Sequence, residues 1–218
     1  MATVCIEEKA FMTMLVAAVE AFPSKYRPDA YRKPKGVSAE GEVHGLLFGQ
    51  LMDKGDKRIY NVTLAVPNQI VYDRNENGVK ASMVHIDRIR EITELFPTYQ
   101  FLGWFHSHPY KHKDFHKKTS VEFSEVDRQS AVEMASDLCQ NMIEIIFGLT
   151  CLKRMARTKP EFIGTHIIHN CCGIYKYSLA CYITQHATVR VESLFLAVDN
   201  LICPTGAGMH YSDFLNKS

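Results

Sequence analysis

No run in the 218 residues reaches the roughly 18 uncharged apolar positions that a membrane-spanning helix needs. The apolar stretch 10–19 follows Glu7 and Glu8 against a single Lys9, the wrong sign for an export signal, so no secretory leader is expected. An excess of charge is missing too. The 25 Lys and Arg stand against 24 Asp and Glu, which gives no global attraction to nucleic acid or to an anionic membrane. Nor is there a disulfide framework. The seven cysteines (Cys5, Cys139, Cys151, Cys171, Cys172, Cys181, Cys203) are odd in number and irregularly spaced, and a bridge between adjacent Cys171 and Cys172 would be strained. A reducing, cytoplasmic setting is expected. Internal repeats and heptads are absent. The 46% hydrophobic and 22% charged residues suit one globular core, which at this length buries roughly 70% of the unfolded surface.

Periodicity predicts a helix over 6–22, closed by Pro23, and then an irregular basic connection over 24–35. Strands are expected at 42–50 and 58–66 around a turn at 53–57. A second helix is expected over 81–96, capped by Ser82, with Val84, Ile89, Ile92 and Phe96 on its apolar face. The aromatic stretch 99–106 reads as a central strand, 110–121 as a basic loop, and 124–140 as a third helix burying Ala131, Met134, Ala135 and Leu138. Strands are expected at 142–152, 161–169, 174–183 and 188–198, with residues 1–203 as one domain and 204–218 as a mobile tail. Helices and strands in mixed order predict an α/β layer fold, a mixed β-sheet flanked by helices.

The chemistry concentrates in Gly103-Trp104-Phe105-His106-Ser107-His108-Pro109. Ten histidines make His-x-His ordinary by chance, but a following Pro makes it rare. Residues i and i+2 of a strand project from one face, so His106 and His108 can reach one ion, and neutral imidazole suits Zn²⁺. Asp127, one turn into the third helix, is the candidate third ligand; two neutral imidazoles and one carboxylate leave a zinc ion net positive and Lewis-acidic. Asp114 is a weaker competitor. Glu42, at the head of its strand, is the candidate general base for a water on that ion.

Together, Glu42-Val43-His44-Gly45-Leu46-Leu47-Phe48-Gly49, the run through Pro109, and Ser124-Glu125-Val126-Asp127 resemble the JAMM (MPN+) metalloisopeptidase family over roughly residues 6–150. The resemblance implies an MPN-type fold, one catalytic zinc on His106, His108 and Asp127, Glu42 polarising the water, and Ser124 stabilising the oxyanion. A capping hydroxyl accepts through its oxygen and keeps a hydrogen to donate. The implied substrate is the bond after the C-terminus of ubiquitin or a ubiquitin-like protein, whose tail is expected along a strand edge near 42–50 or 99–106. A chain without added domains looks like a prokaryotic stand-alone member, some of which accompany ubiquitin-like conjugation enzymes in antiviral (anti-phage) defence. One departure is visible: fourteen residues separate Pro109 from Ser124 where the family has about six. The excess is basic and reads as a substrate-facing loop.

Blander readings stand beside these. An inactive MPN scaffold requires the loop to misplace Asp127. A nucleic-acid module would use the basic stretches 25–35, 111–118 and 153–159, but no basic helix or stacking motif accompanies them. His166, His169, Cys171 and Cys172, with His44 or His186, are weighed as a second, structural zinc site, although their spacing fits no standard pattern.

Overall fold

Strand pairing, not helical periodicity, governs the N-terminus. Ala2, Val4 and Ile6 face the core, forming strand β1 (Ala2–Ile6), and helix α1 (Glu8–Ala21) begins only after it. The expected helix start at Ile6 is thus corrected. The computed structural model describes residues 2–28, 40–55, 57–75, 77–138, 141–156, 158–185, 188–190 and 194–198. The tail from residue 204, most of the 24–35 connection and His186 lie outside the described residues.

A long hairpin follows, β2 (His44–Lys54) and β3 (Lys57–Pro67), and then a short one, β4 (Val71–Asn75) and β5 (Gly78–Ala81). The short hairpin was not expected. Asn75 Oδ1 accepts from the Asn77 N–H at 2.8 Å, a local turn that Asn-x-Asn-Gly favours. Helix α2 (Met83–Glu94), the central strand β6 (Gln100–Tyr110), helix α3 (Glu125–Asp137) and strand β7 (Met142–Cys151) come next. The expected strands at 161–169 and 188–198 are each two: β8 (Glu161–Ile163) and β9 (Ile167–Cys172), then, after β10 (Tyr175–Gln185), β11 (Thr188–Arg190) and β12 (Leu194–Val198).

One mixed sheet runs β12-β1-β3-β2-β6-β7-β10-β9-β8, with β11 beside β10. It is parallel where β1 meets β3 and β12 and where β6 meets β7, and antiparallel elsewhere. Helix α1 covers one face through Phe11, Met14, Leu15 and Ala18. The other face carries two smaller clusters, one of Leu46, Phe48, Trp104 and Ile86 with Ala135 of α3, the other of Val121, Ile146, Ile167 and Tyr182. This is the α/β MPN-type arrangement expected. No helix among the described residues is long and apolar enough to cross a membrane.

Helix α2 turns a different face inward than its hydrophobicity suggests. Ile86 and Thr93 are buried and Ile89, one of the four expected, packs beside Ile86, while Val84, Ile92 and Phe96 are 60%, 62% and 56% exposed. Thr93 satisfies its hydroxyl on the Ile89 carbonyl at 2.7 Å, and the Arg90 guanidinium lies 4.8 Å from the Phe101 ring centroid. Polar residues with internal partners therefore line the packed face.

A β-bulge sets the phase of β6. Leu47 pairs with Gly103 but Phe48 with Phe101, leaving Leu102 as the extra residue. Phe101 and Trp104, three apart, consequently share a face with rings 4.9 Å apart, and Leu102 and Phe105 enter the α1-side core. Trp104, His106 and His108 then all project toward α2 and α3. Gly103 has φ 147, and a Cβ there would lie 1.9 Å from the Ile143 carbonyl oxygen. Gly103→Ala is expected to cost about 3 kcal/mol or more. Gly55, at φ 65 with nothing within 4 Å of its Cβ position, is the control. Gly55→Ala should cost only about 1–2 kcal/mol. Equal losses in urea unfolding of the two variants would show that the close approach of β6 to β7 is not limiting.

Candidate active site

Two elements meet on the sheet face that carries the two small clusters. His106 and His108 come from β6, and Asp127 from the first turn of α3. Ser124 caps that helix: its Oγ accepts from the Asp127 N–H at 3.1 Å, and Asp127 Oδ2 accepts from the Ser124 N–H at 3.2 Å. The capping box thus fixes the carboxylate. The two histidine Nε2 atoms are 3.0 Å apart, and Asp127 Oδ2 lies 3.8 Å from His106 Nε2 and 3.7 Å from His108 Nε2. Zn²⁺ bonds of about 2.0–2.1 Å at tetrahedral angles put donors about 3.3–3.4 Å apart, a value this triangle brackets. The donor set therefore fits such an ion. Among the described residues this is the one His/Cys/Asp/Glu group with metal-binding geometry.

The electrostatics agree with the geometry. Burial opposes charge on His106, but Glu144, Asp127 and Glu42 outweigh it and raise the ring to about 9. Burial likewise opposes charge on Asp127, yet its bond to His108 and the charge of His106 hold it well below the usual carboxylate range. Burial lowers His108. Because the ligating nitrogens must be unprotonated, metal binding at this triad would compete with protons.

Glu144 was not anticipated. Its Oε1 is 2.7 Å from His106 Nδ1, and both side chains are buried. A carboxylate on Nδ1 fixes the hydrogen there and leaves the Nε2 lone pair for a ligand bond. The signal was present: Glu144 is the single charge in Met142–Cys151, a strand buried throughout.

Glu42 precedes β2 by two residues. Its N–H donates to the Asn75 carbonyl at 2.8 Å, and the Val43 N–H donates to Ser107 Oγ at 3.0 Å, so Ser107, between the two histidines, ties this segment to β6. Burial raises the Glu42 carboxyl to about 7, with His106 pulling the other way. A divalent cation on the triad would lower it again. Ser124 Oγ lies 2.5 Å from Asp127 Oδ2, so its hydroxyl hydrogen is given to the carboxylate and is not free. Glu42, His44, His106, His108, Ser124, Asp127 and Glu144 line one cavity of about 860 Å³.

Residues 1–126 match the family described as JAB1/Mov34/MPN/PAD-1 ubiquitin protease. The chain belongs to that family. No curated protein matches it. The MPN match ends at Val126, so Asp127 joins the site on geometry alone. Such domains include hydrolases of isopeptide bonds as well as inactive members.

Other expectations are corrected. Of the segment 110–121, only Tyr110 lines the cavity. Phe115 is buried with its ring 6.3 Å from Tyr110 and 6.0 Å from His169, Lys117 pairs with Glu161, and the Val121 carbonyl accepts from Tyr182 Oη at 2.7 Å. Asp114 ends the first of two 3-10 turns in this segment and does not join the triad. The second zinc site does not form among the described residues. Cys171 is buried while its neighbour Cys172 is exposed, His169 Nδ1 lies 3.0 Å from Ser178 Oγ, and His44 belongs to the active-site cavity.

Glu144→Gln keeps shape but removes the charge behind His106. It is expected to weaken Zn²⁺ binding about 10–100-fold, measured by competition with a chelator. Unchanged affinity would reduce Glu144 to a space-filling role.

Proposed function

We propose that this chain is a zinc-dependent JAMM-type isopeptidase that hydrolyses the amide joining the C-terminus of ubiquitin or a ubiquitin-like protein to a lysine amine. The observation that carries the proposal is the convergence of His106, His108 and Asp127, with donor atoms all within 4.8 Å, in the cavity that Glu42 also lines. When bound, zinc would supply Lewis acidity and lower the pKa of a coordinated water to about 7. His106, held by Glu144, and His108 would present Nε2 to it, and Asp127 would bring the balancing charge.

Glu42 takes the proton of the attacking water at a carboxylate oxygen. It then delivers that proton to the leaving lysine nitrogen, so that water and amide become carboxylate and amine. Its buried, strapped position suits this shuttle: a carboxyl away from bulk water is a stronger base and loses its proton to no competing solvent. Ser124 can serve the oxyanion once Asp127 shares its charge with the ion and releases the hydroxyl hydrogen.

The substrate tail cannot pair with β2 or β6 as expected, because β2 lies between β3 and β6, and β6 between β2 and β7. The β4–β5 hairpin is the better platform. No third strand among the described residues pairs with it, its Asn75 carbonyl holds the Glu42 N–H, and Asn77 and Gly78 line the cavity. An extended C-terminal tail adding to this edge would enter beside Glu42.

Elemental analysis should find about one zinc per chain in wild type and a strongly reduced content in Asp127→Asn. Absence of zinc, or indifference to Asp127, would leave the inactive-scaffold reading. Glu42→Gln should retain zinc and lose cleavage of a ubiquitin–lysine isopeptide probe by about 10²–10⁴-fold. Normal cleavage by that variant would remove Glu42 from the base role.

A further inference from the structure

We propose that His44 is a further catalytic residue, whose Nε2–H donates to the carbonyl oxygen of the amide under attack. The inference deepens the function proposed above and rests on it.

Four observations converge on this imidazole. First, position: His44 is the Cα partner of His106 across the antiparallel β2–β6 pair, so the two rings share a sheet face, and His44 lines the same cavity as Glu42 and the triad. Second, tautomer: the Asn68 Nδ2 lies 2.7 Å from His44 Nδ1. With the Asn68 amide oriented so that its NH₂ faces the ring, Nδ1 accepts and the ring hydrogen is assigned to Nε2. Asn68 is 2% exposed, and its own N–H donates to the His44 carbonyl at 2.8 Å, which holds donor and acceptor in one rigid unit.

Third, orientation: the His44 ring packs on Trp104, with centroids 5.5 Å apart and planes at 36°. With Nδ1 turned to Asn68 and one ring face on Trp104, the Nε2 edge is left for the cavity. Fourth, need: the Ser124 hydroxyl is engaged by Asp127 Oδ2 at 2.5 Å, so the site benefits from a donor already free before substrate arrives. His44 stands outside the metal-binding group, so its N–H is available to substrate. The strand supports the point from the other side. Leu46 and Phe48, the next two residues on that face, are fully buried and apolar.

The test uses the full-length, zinc-loaded protein with ¹⁵N-labelled histidine. Two-bond ¹⁵N–¹H correlation should show His44 as the neutral Nε2–H form, its signals identified by their loss in His44→Gln. An Nδ1–H form, or a metal-ligated Nε2, overturns the proposal whatever the activity. On a ubiquitin–lysine isopeptide probe, His44→Phe should keep its zinc and lower kcat about 10²–10³-fold with little change in KM. His44→Gln, which restores an N–H near the Nε2 position, should recover part of that loss. Unchanged kcat in His44→Phe, or loss of its zinc, overturns the role of His44 alone. A zinc-loaded wild type that leaves the probe intact overturns the isopeptidase reading and the role of His44 with it.

Discussion

The site depends on the close approach of two backbones at Gly103. There the central strand passes the Ile143 carbonyl at a distance no side-chain carbon could share, and the bulged Leu102 shifts the alternation by one. Without that shift, the residues after Gly103 would exchange faces. Phe105 would leave the α1-side core, and both histidines would point into it. The bulge therefore decides at once where a large aromatic is buried and where two imidazoles meet the cavity. It also brings β7 alongside in parallel, with Glu144 level with Trp104 and in reach of His106.

Gathering the carboxyls of Glu42, Asp127 and Glu144 with the imidazoles of His106 and His108 is costly unless their charges are balanced. The protein balances them in layers. Glu144 faces His106 from behind, the Ser124 capping box holds Asp127 from the side, and Glu42 is raised by burial toward its neutral form. What remains is a concave point where two ring nitrogens and a carboxylate oxygen face one another with no side chain between them. That is the electrostatic definition of a cation site.

Much of this was legible in the chain itself. The His-Ser-His-Pro run, the Ser-x-x-Asp that opens a helix and the Glu that precedes a strand are local signals, and each names residue types with chemistry of their own. The fold class followed from the mixed order of elements. Glu144 was harder because its meaning depends on a parallel neighbour reached through α3, a pairing that period and propensity do not report. Strand β1 was missed for the same reason, since its partners β3 and β12 are distant in sequence. Helix α2 misled because Thr93 bonds its hydroxyl to the Ile89 carbonyl and the Arg90 guanidinium lies over the Phe101 ring, so the face with fewer aliphatic residues is the packed one.

The eight or so extra residues before α3 raise a geometric question, because an arbitrary insertion between two ligands of one site ought to spoil it. Loop-closure entropy is not the obstacle: doubling a loop costs only about 0.6 kcal/mol. What matters is where the chain is anchored when it re-enters the helix, and here the anchors are late. Ser120 Oγ accepts from the His116 N–H at 2.9 Å, closing the end of the insertion on itself. Val121 is fully buried with Ile146 and Tyr182, and the Phe123 ring meets Tyr182 at 4.6 Å, edge on. These contacts fix the chain just before Ser124, so the capping box starts from the sheet and not from Pro109. The length of the insertion is thereby uncoupled from the position of Asp127, and its carboxylate meets the two histidines despite about eight residues of additional chain.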